Sequence, residues 1–189
     1  RGLRERGLQV TVVHLAGRLM EQQLDGVAGR LLARAMARLG VEVRVGAATE
    51  AIFDGTVVLA DGTEIPADMV VLATGVRPDV DLARAAGLEV DRGIVVDDQL
   101  RASAPGVHAV GECAQHRDVV YGLWAPLLEM ARAAGASLAG APAAFRGIVP
   151  ATTLKVAGID LFCCGRTVPE DADEEVLSLD TRDGYYRKL

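Results

Sequence analysis

The 189-residue, 19.9 kDa chain is long enough for one ordinary domain or two small ones. Half of its residues are hydrophobic, mostly Ala, Val and Leu, and only 4% are aromatic, which suits Val-rich strands covered by Ala- and Leu-rich helices. A formal net charge of −6 without a basic patch argues against a nucleic-acid partner, and no apolar run reaches membrane-spanning length, so a cytoplasmic α/β protein is expected.

Residues 1–6 read as the tail of a helix, ended by Gly7 in the left-handed conformation that glycine adopts cheaply. Residues 8–15, L-Q-V-T-V-V-H-L, follow as a strand of high β-propensity. The chain is therefore expected to open inside a β-α-β unit, with the first strand and glycine-rich turn absent or upstream. Residues 24–39 place Leu24, Val27, Leu31, Leu32, Ala35 and Leu39 at helical spacing, and Gly40 closes them. Residues 41–45, V-E-V-R-V, read as the next parallel strand. Arg30, Arg34 and Arg38 recur every fourth residue and fit a solvated stripe better than a binding site.

The period then changes. Residues 49–65 carry two Asp-Gly tight-turn signals, at Asp54-Gly55 and Asp61-Gly62, and predict a small antiparallel meander. Residues 69–73, M-V-V-L-A, predict a buried strand running into Thr74-Gly75-Val76-Arg77-Pro78. A short helix is expected over 79–86, capped by Asp79 or Asp81 and stopped by Gly87, and a strand over 93–97. Residues 107–112, V-H-A-V-G-E, predict a second buried strand, at whose C-terminal end Gly111 admits a close neighbour and Glu112 presents a carboxylate. Residues 113–120 read as a loop. Its Cys113 and His116, with Glu112, are too few ligands for a metal site.

A helix is expected from about Leu127 to Leu138, with Pro126 suited to its first turn, where no N–H is needed. From Ala139 the composition shifts, and G-A-P-A-A-F-R-G (140–147) reads as a linker. Residues 152–157 and 159–165 read as a hairpin, and 175–179 and 185–189 as further strands. Three cysteines make no disulfide framework: Cys163 and Cys164 are neighbours that face opposite ways in a strand, one a core thiol and one a surface thiol.

Four stretches carry a resemblance. A-T-G-V-R-P-D (73–79) and D-D-Q-L-R-A-S-A-P-G-V-H-A-V-G-E-C (97–113) together resemble the pyridine nucleotide-disulfide oxidoreductase family. The block V-V-H-L-A-G-R-L-M-E-Q-Q-L-D (12–25) and L-K-V-A-G-I-D-L-F (154–162) are similar to the flavoprotein segment of NAD(P)H-dependent nitrite reductase large subunits. The resemblance implies a Rossmann-like α/β fold with a parallel sheet and an inserted antiparallel meander, plus the start of a C-terminal α+β interface domain. It divides the chain into the latter part of an NAD(P)-binding domain (1–78), the C-terminal part of an FAD-binding domain (79–142) and the opening of the interface domain (143–189).

The resemblance also implies cofactors, FAD and NAD(P)H, and residues for each. Gly111 and Glu112 stand where a carboxylate, usually aspartate, meets the ribityl chain of FAD. Glu112 is one methylene longer, which shifts that contact. Pro126, Leu127 and Leu128 open the helix whose N-terminus faces the pyrimidine end of the flavin. Thr74 and Gly75 lie where nicotinamide approaches flavin. His14 occupies the strand end facing the adenosine ribose, where an acid would signal NAD, and Arg18 follows where a cation could meet a 2′-phosphate. Nicotinamide preference stays open on the residues alone.

The activity implied is hydride transfer from NAD(P)H to FAD, with electrons passed to iron–sulfur and sirohaem domains or to an acceptor protein. No catalytic acid or base is nominated, because the cofactors carry the chemistry. No cluster-binding cysteine spacing is present, so this stretch alone is expected to be inactive. A homodimer through the interface domain, a ferredoxin or rubredoxin reductase, and a non-catalytic dimerisation module are the alternatives left open.

Overall fold

The computed structural model describes residues 2–149, 151–156, 159–167, 169–171 and 173–189. The chain divides into two compact units, Arg1–Leu72 with Ala151–Leu189, and Ala73–Pro150.

In the first unit, α1 (Gly2–Glu5) ends at Gly7 with φ +83°, and β1 (Val10–His14) follows. The helix α2 (Gly26–Arg38) then returns the chain to β2 (Val41–Val45), which pairs with β1 in parallel, Val10 opposite Val41 through His14 opposite Val45. This is the β-α-β crossover that the apolar spacing predicts. Leu24, Leu32 and Val41 are its buried apolar residues. Asp25 caps α2, its Oδ1 accepting from the backbone N–H groups of Val27 and Ala28 at 3.0 and 2.9 Å.

The meander forms as expected: β3 (Thr49–Phe53), β4 (Thr56–Leu59) and β5 (Glu64–Pro66) pair antiparallel, with Gly55 and Gly62 at positive φ in the two turns. Residues 69–73 depart from expectation. They form no strand, and Met69, Val71 and Leu72 are exposed by 68–73%. β-propensity stabilises a strand only through a paired neighbour, and none lies beside this run among the described residues.

The second unit holds α3 (Asp81–Ala85), β6 (Ile94–Val96), β7 (Ala114–His116), β8 (Val119–Val120) and α4 (Trp124–Leu138). Val80, rather than an aspartate, is the N-cap of α3 and makes no side-chain cap bond, although Asp79 accepts from the Asp81 N–H at 3.3 Å. The strand expected over 107–112 is also absent. An isolated antiparallel bridge joins Arg101 to His108, while Val107 and Val110 are exposed. The expected loop over 113–120 instead supplies β7, parallel to β6, and β8, antiparallel to β7. Its short polar sequence, A-Q-H, hides a strand because its side chains are held by partners distant in sequence. Leu100, Ala114, Tyr121, Met130 and Phe145 form the core of this unit.

Two antiparallel hairpins complete the first unit: β9 (Ala151–Val156) with β10 (Ile159–Cys164), and β11 (Leu177–Asp180) with β12 (Tyr185–Lys188). The expected hairpin turn at Ala157 and Gly158 lies outside the described residues. Cys163 is half-buried, Cys164 is exposed, and both are free thiols. Among the described residues no helix is long and apolar enough to cross a membrane.

Candidate functional site

The residues singled out by the motifs fall into four places. His14 ends β1 and Arg18 follows it in the first unit. Thr74 and Gly75, Gly111 and Glu112, and Pro126 to Leu128 all belong to the second.

Around Gly111 the backbone is open. Its φ is +94°, a conformation that side-chain-bearing residues rarely adopt, and nothing lies within 4 Å of where a Cβ would project. Glu112 beside it is exposed, and its side chain makes no hydrogen bond or ion pair among the described residues. An unpaired acceptor beside an uncluttered glycine can receive the hydroxyls of a polyol chain. Gly75 repeats the pattern, at φ +81° with empty space around it, and Thr74 is exposed.

The N-terminus of α4 is the second fitting feature. Leu123 is its N-cap and offers no side-chain bond, and no acid stands in the first turn. The first-turn amides of Trp124 and Ala125 therefore lack a capping side chain, and Pro126 contributes none. Their partial positive charge is uncompensated by a cap and is available to negative charge on a ligand. Pro126 is buried, Leu127 is packed against the core and Leu128 is exposed, so one face of this turn anchors the helix while the other stays open. Trp124, the chain's sole tryptophan, is 79% exposed at this end.

At the exit of β1, His14 Nε2 meets Glu21 Oε2 at 2.9 Å. A bond from its own backbone N–H, then the His14 ring, hold the Glu21 carboxyl below the usual range, so it stands ionised. Arg18 is turned the other way. Its Nε donates to Leu24 O at 2.9 Å and a terminal nitrogen donates to Glu21 O at 3.2 Å, while its stem lies against Gly29 of α2. Glu21 lies within the 12–25 block, but the sequence pattern gives it no role of its own. It stands seven residues from the strand end, and only the turn over 20–24, closed by Gln23 and Leu24 N–H groups on Met20 O, returns it to His14.

A second cluster likewise has no signature in the sequence. Asp98 accepts from His116 Nε2 at 2.8 Å and from Arg117 Nε and a terminal nitrogen at 3.0 and 2.6 Å. His116 is 1% exposed and stacks edge-on against Phe145, with ring centroids 4.9 Å apart. Arg117 first, then His116, hold the Asp98 carboxyl below the ordinary aspartate range. The cluster borders a cleft of about 490 Å³ lined by Val95, Asp97, Gln115 and Asp118. Among the described residues no group of His, Cys, Asp and Glu is arranged to hold a metal.

Fold and motifs together describe a nucleotide-binding flavoprotein type, and comparison with known proteins makes this specific. A family model described as pyridine nucleotide-disulphide oxidoreductase matches residues 2–140, and one described as the rubredoxin NAD+ reductase C-terminal domain matches residues 150–189. The chain belongs to the pyridine nucleotide-disulphide oxidoreductase family. It is 40% identical over 194 aligned residues to nitrite reductase [NAD(P)H] of Bacillus subtilis, a match spanning 100% of this chain and 24% of that protein. The ferredoxin reductase for the CYP199A2 system of Rhodopseudomonas palustris superposes with a TM-score of 0.82 at 29% identity, over 99% of this chain and 48% of that one. An FAD-dependent pyridine nucleotide-disulphide oxidoreductase from Desulfovibrio vulgaris gives a TM-score of 0.73 at 30% identity, over 82% and 42%. The chain thus spans about a quarter of the nitrite reductase it resembles.

Proposed function

We propose that this chain is the electron-input segment of an FAD-dependent NAD(P)H oxidoreductase of the nitrite reductase kind. When bound, the cofactors would supply a hydride from the nicotinamide and its acceptor in the flavin. The chain's own residues bind and orient. Glu112 would accept hydrogen bonds from the flavin's polyol chain, with Gly111 leaving room for it. The α4 N-terminus, where Pro126, Leu127 and Leu128 lie, would place the partial positive charge of the Trp124 and Ala125 amides against the pyrimidine end. Thr74 and Gly75 would line the nicotinamide approach, and the exit of β1, at His14 and Arg18, would receive the adenosine half.

The observation that carries this reading is the uncapped, open N-terminus of α4 in a chain whose Gly111 and Glu112 are also unencumbered. Similarity to nitrite reductase [NAD(P)H] along the whole of this chain favours iron–sulfur or sirohaem domains as the onward partners. A second reading, a ferredoxin or rubredoxin reductase passing electrons to a separate carrier, is favoured by the C-terminal match and by the R. palustris superposition.

The test is an absorption spectrum of the purified protein before and after FAD and NADH. Flavin absorbance retained through gel filtration and bleached by NADH is the expected result. Because Trp124 is the sole tryptophan, FAD binding should also quench its fluorescence. A colourless protein with unquenched fluorescence would remove the activity from this chain.

A further inference from the structure

At the exit of β1 the chain has an acid folded against a strand-end histidine. Glu21 reaches back across the turn, and His14 Nε2 lies 2.9 Å from its Oε2. An ionised carboxylate only accepts, so the imidazole nitrogen facing it carries the proton and donates. The Glu21 side chain is still 35% exposed, which leaves it open to an incoming hydroxyl. The backbone beneath is fixed as well: Ala47 N–H bonds His14 O at 3.0 Å and Gly46 N–H bonds Ala16 O at 2.8 Å. The cation on this turn is committed elsewhere, since the Arg18 guanidinium is held by the carbonyls of Leu24 and Glu21.

We propose that Glu21 is the specificity-determining residue of the dinucleotide site, held in place by His14 as a positioning residue, and that it selects NADH over NADPH. The inference rests on the reading that the β1 exit receives the adenosine half of the dinucleotide. A ribose diol offers two donors to a carboxylate, whereas 2′-phosphorylation leaves only the 3′-hydroxyl and adds charge of the same sign. Two of Arg18's donors are held by carbonyl oxygens, which leaves fewer for a 2′-phosphate while its positive charge persists, so it is the Glu21 carboxylate that tips the site toward the diol.

The probes are ADP-ribose and its 2′-phosphate, titrated calorimetrically into the purified protein, so that the readout is binding and not turnover. The wild type should bind ADP-ribose about tenfold or more tightly than the 2′-phosphate, the scale of one charge-assisted hydrogen bond made or opposed. Glu21→Gln should shrink that ratio by about tenfold, chiefly by tightening the 2′-phosphate, with an unchanged circular dichroism spectrum. His14→Leu should weaken the discrimination and His14→Gln, which keeps a donor, should restore it. A wild type that prefers the 2′-phosphate, or a Glu21→Gln ratio equal to wild type, overturns the proposal. Binding of neither probe overturns the dinucleotide reading beneath it, and the proposal with it, which is a distinct result from binding both without discrimination.

Discussion

At the scale of single residues, the informative positions differ in how they announce themselves. Gly111 is legible because a glycine at φ +94° is nearly obligatory there. Gly111→Ala should cost about 1 kcal/mol for the unfavourable backbone alone, since the space is empty. On the proposed reading its effect on flavin retention should be much larger than its effect on Tm, because the added methyl would enter the space assigned to the cofactor. Asp98 is not legible: its partners His116 and Arg117 stand 18 and 19 residues away, and no local pattern joins them. Because its folded carboxyl titrates below the ordinary aspartate value of 3.8, it contributes stability that is full above that pH and is lost as pH falls through the folded value. Asp98→Asn should therefore lower Tm at about pH 6, and the gap to wild type should close as melting is repeated toward about pH 3. A constant gap across that range would mean that the hydrogen bonds, and not the charge, carry the contribution.

Elements are legible where their signal is local. α2 shows helical spacing and a capping Asp25, and the meander shows its two Asp-Gly turns, so both form as the sequence predicts. The runs at 69–73 and 107–112 carry equally good strand composition yet pair with nothing in a ladder among the described residues, because strand formation depends on a neighbour that composition does not encode. The turn between β7 and β8 is hidden for the opposite reason. Arg117 and Asp118 both adopt positive φ, 47° and 65°, in a two-residue hairpin normally made by Asn-Gly. Distant partners stabilise it, the Arg117 side chain on Asp98 and the Asp118 carbonyl accepting from Arg92. Asp25 shows how an element end can be held twice. Besides capping α2 it accepts from the Tyr186 hydroxyl, and Lys188 lies 3.7 Å away. Burial opposes ionisation of Asp25, but the Ala28 N–H, Tyr186 and Lys188 together outweigh it and lower the carboxyl. Asp25→Ala should cost about 1–2 kcal/mol through the lost cap, and Asp25→Asn less, because an amide oxygen still caps; denaturant melts of the two variants read the difference. Tyr186 titrates well above its ordinary 10.0, through burial and the bond to Asp25. Its contribution is thus full below that value and fades as pH rises toward the folded one, so Tyr186→Phe should lose its disadvantage in alkaline melts.

At the scale of the whole molecule, the family is more legible than the packing. Motifs such as A-T-G and V-G-E carry the family resemblance whether or not every strand beside them is paired. The apolar run at 69–72 is the clearest consequence. Four consecutive apolar residues stand 40–73% exposed, which ordinary monomers avoid in a contiguous stretch. Val71→Lys distinguishes an open run from one that is covered in the purified protein. In an open run the lysine meets only water, so stability should stay within about 0.5 kcal/mol of wild type. Solubility should rise and binding of a hydrophobic dye should fall, because the charge interrupts the apolar surface. If the run is instead buried against protein, the same substitution places an unpaired ammonium in an apolar layer, and Tm must drop sharply. The exposed geometry predicts the first outcome, with dye binding as the more sensitive reading because it reports the surface directly.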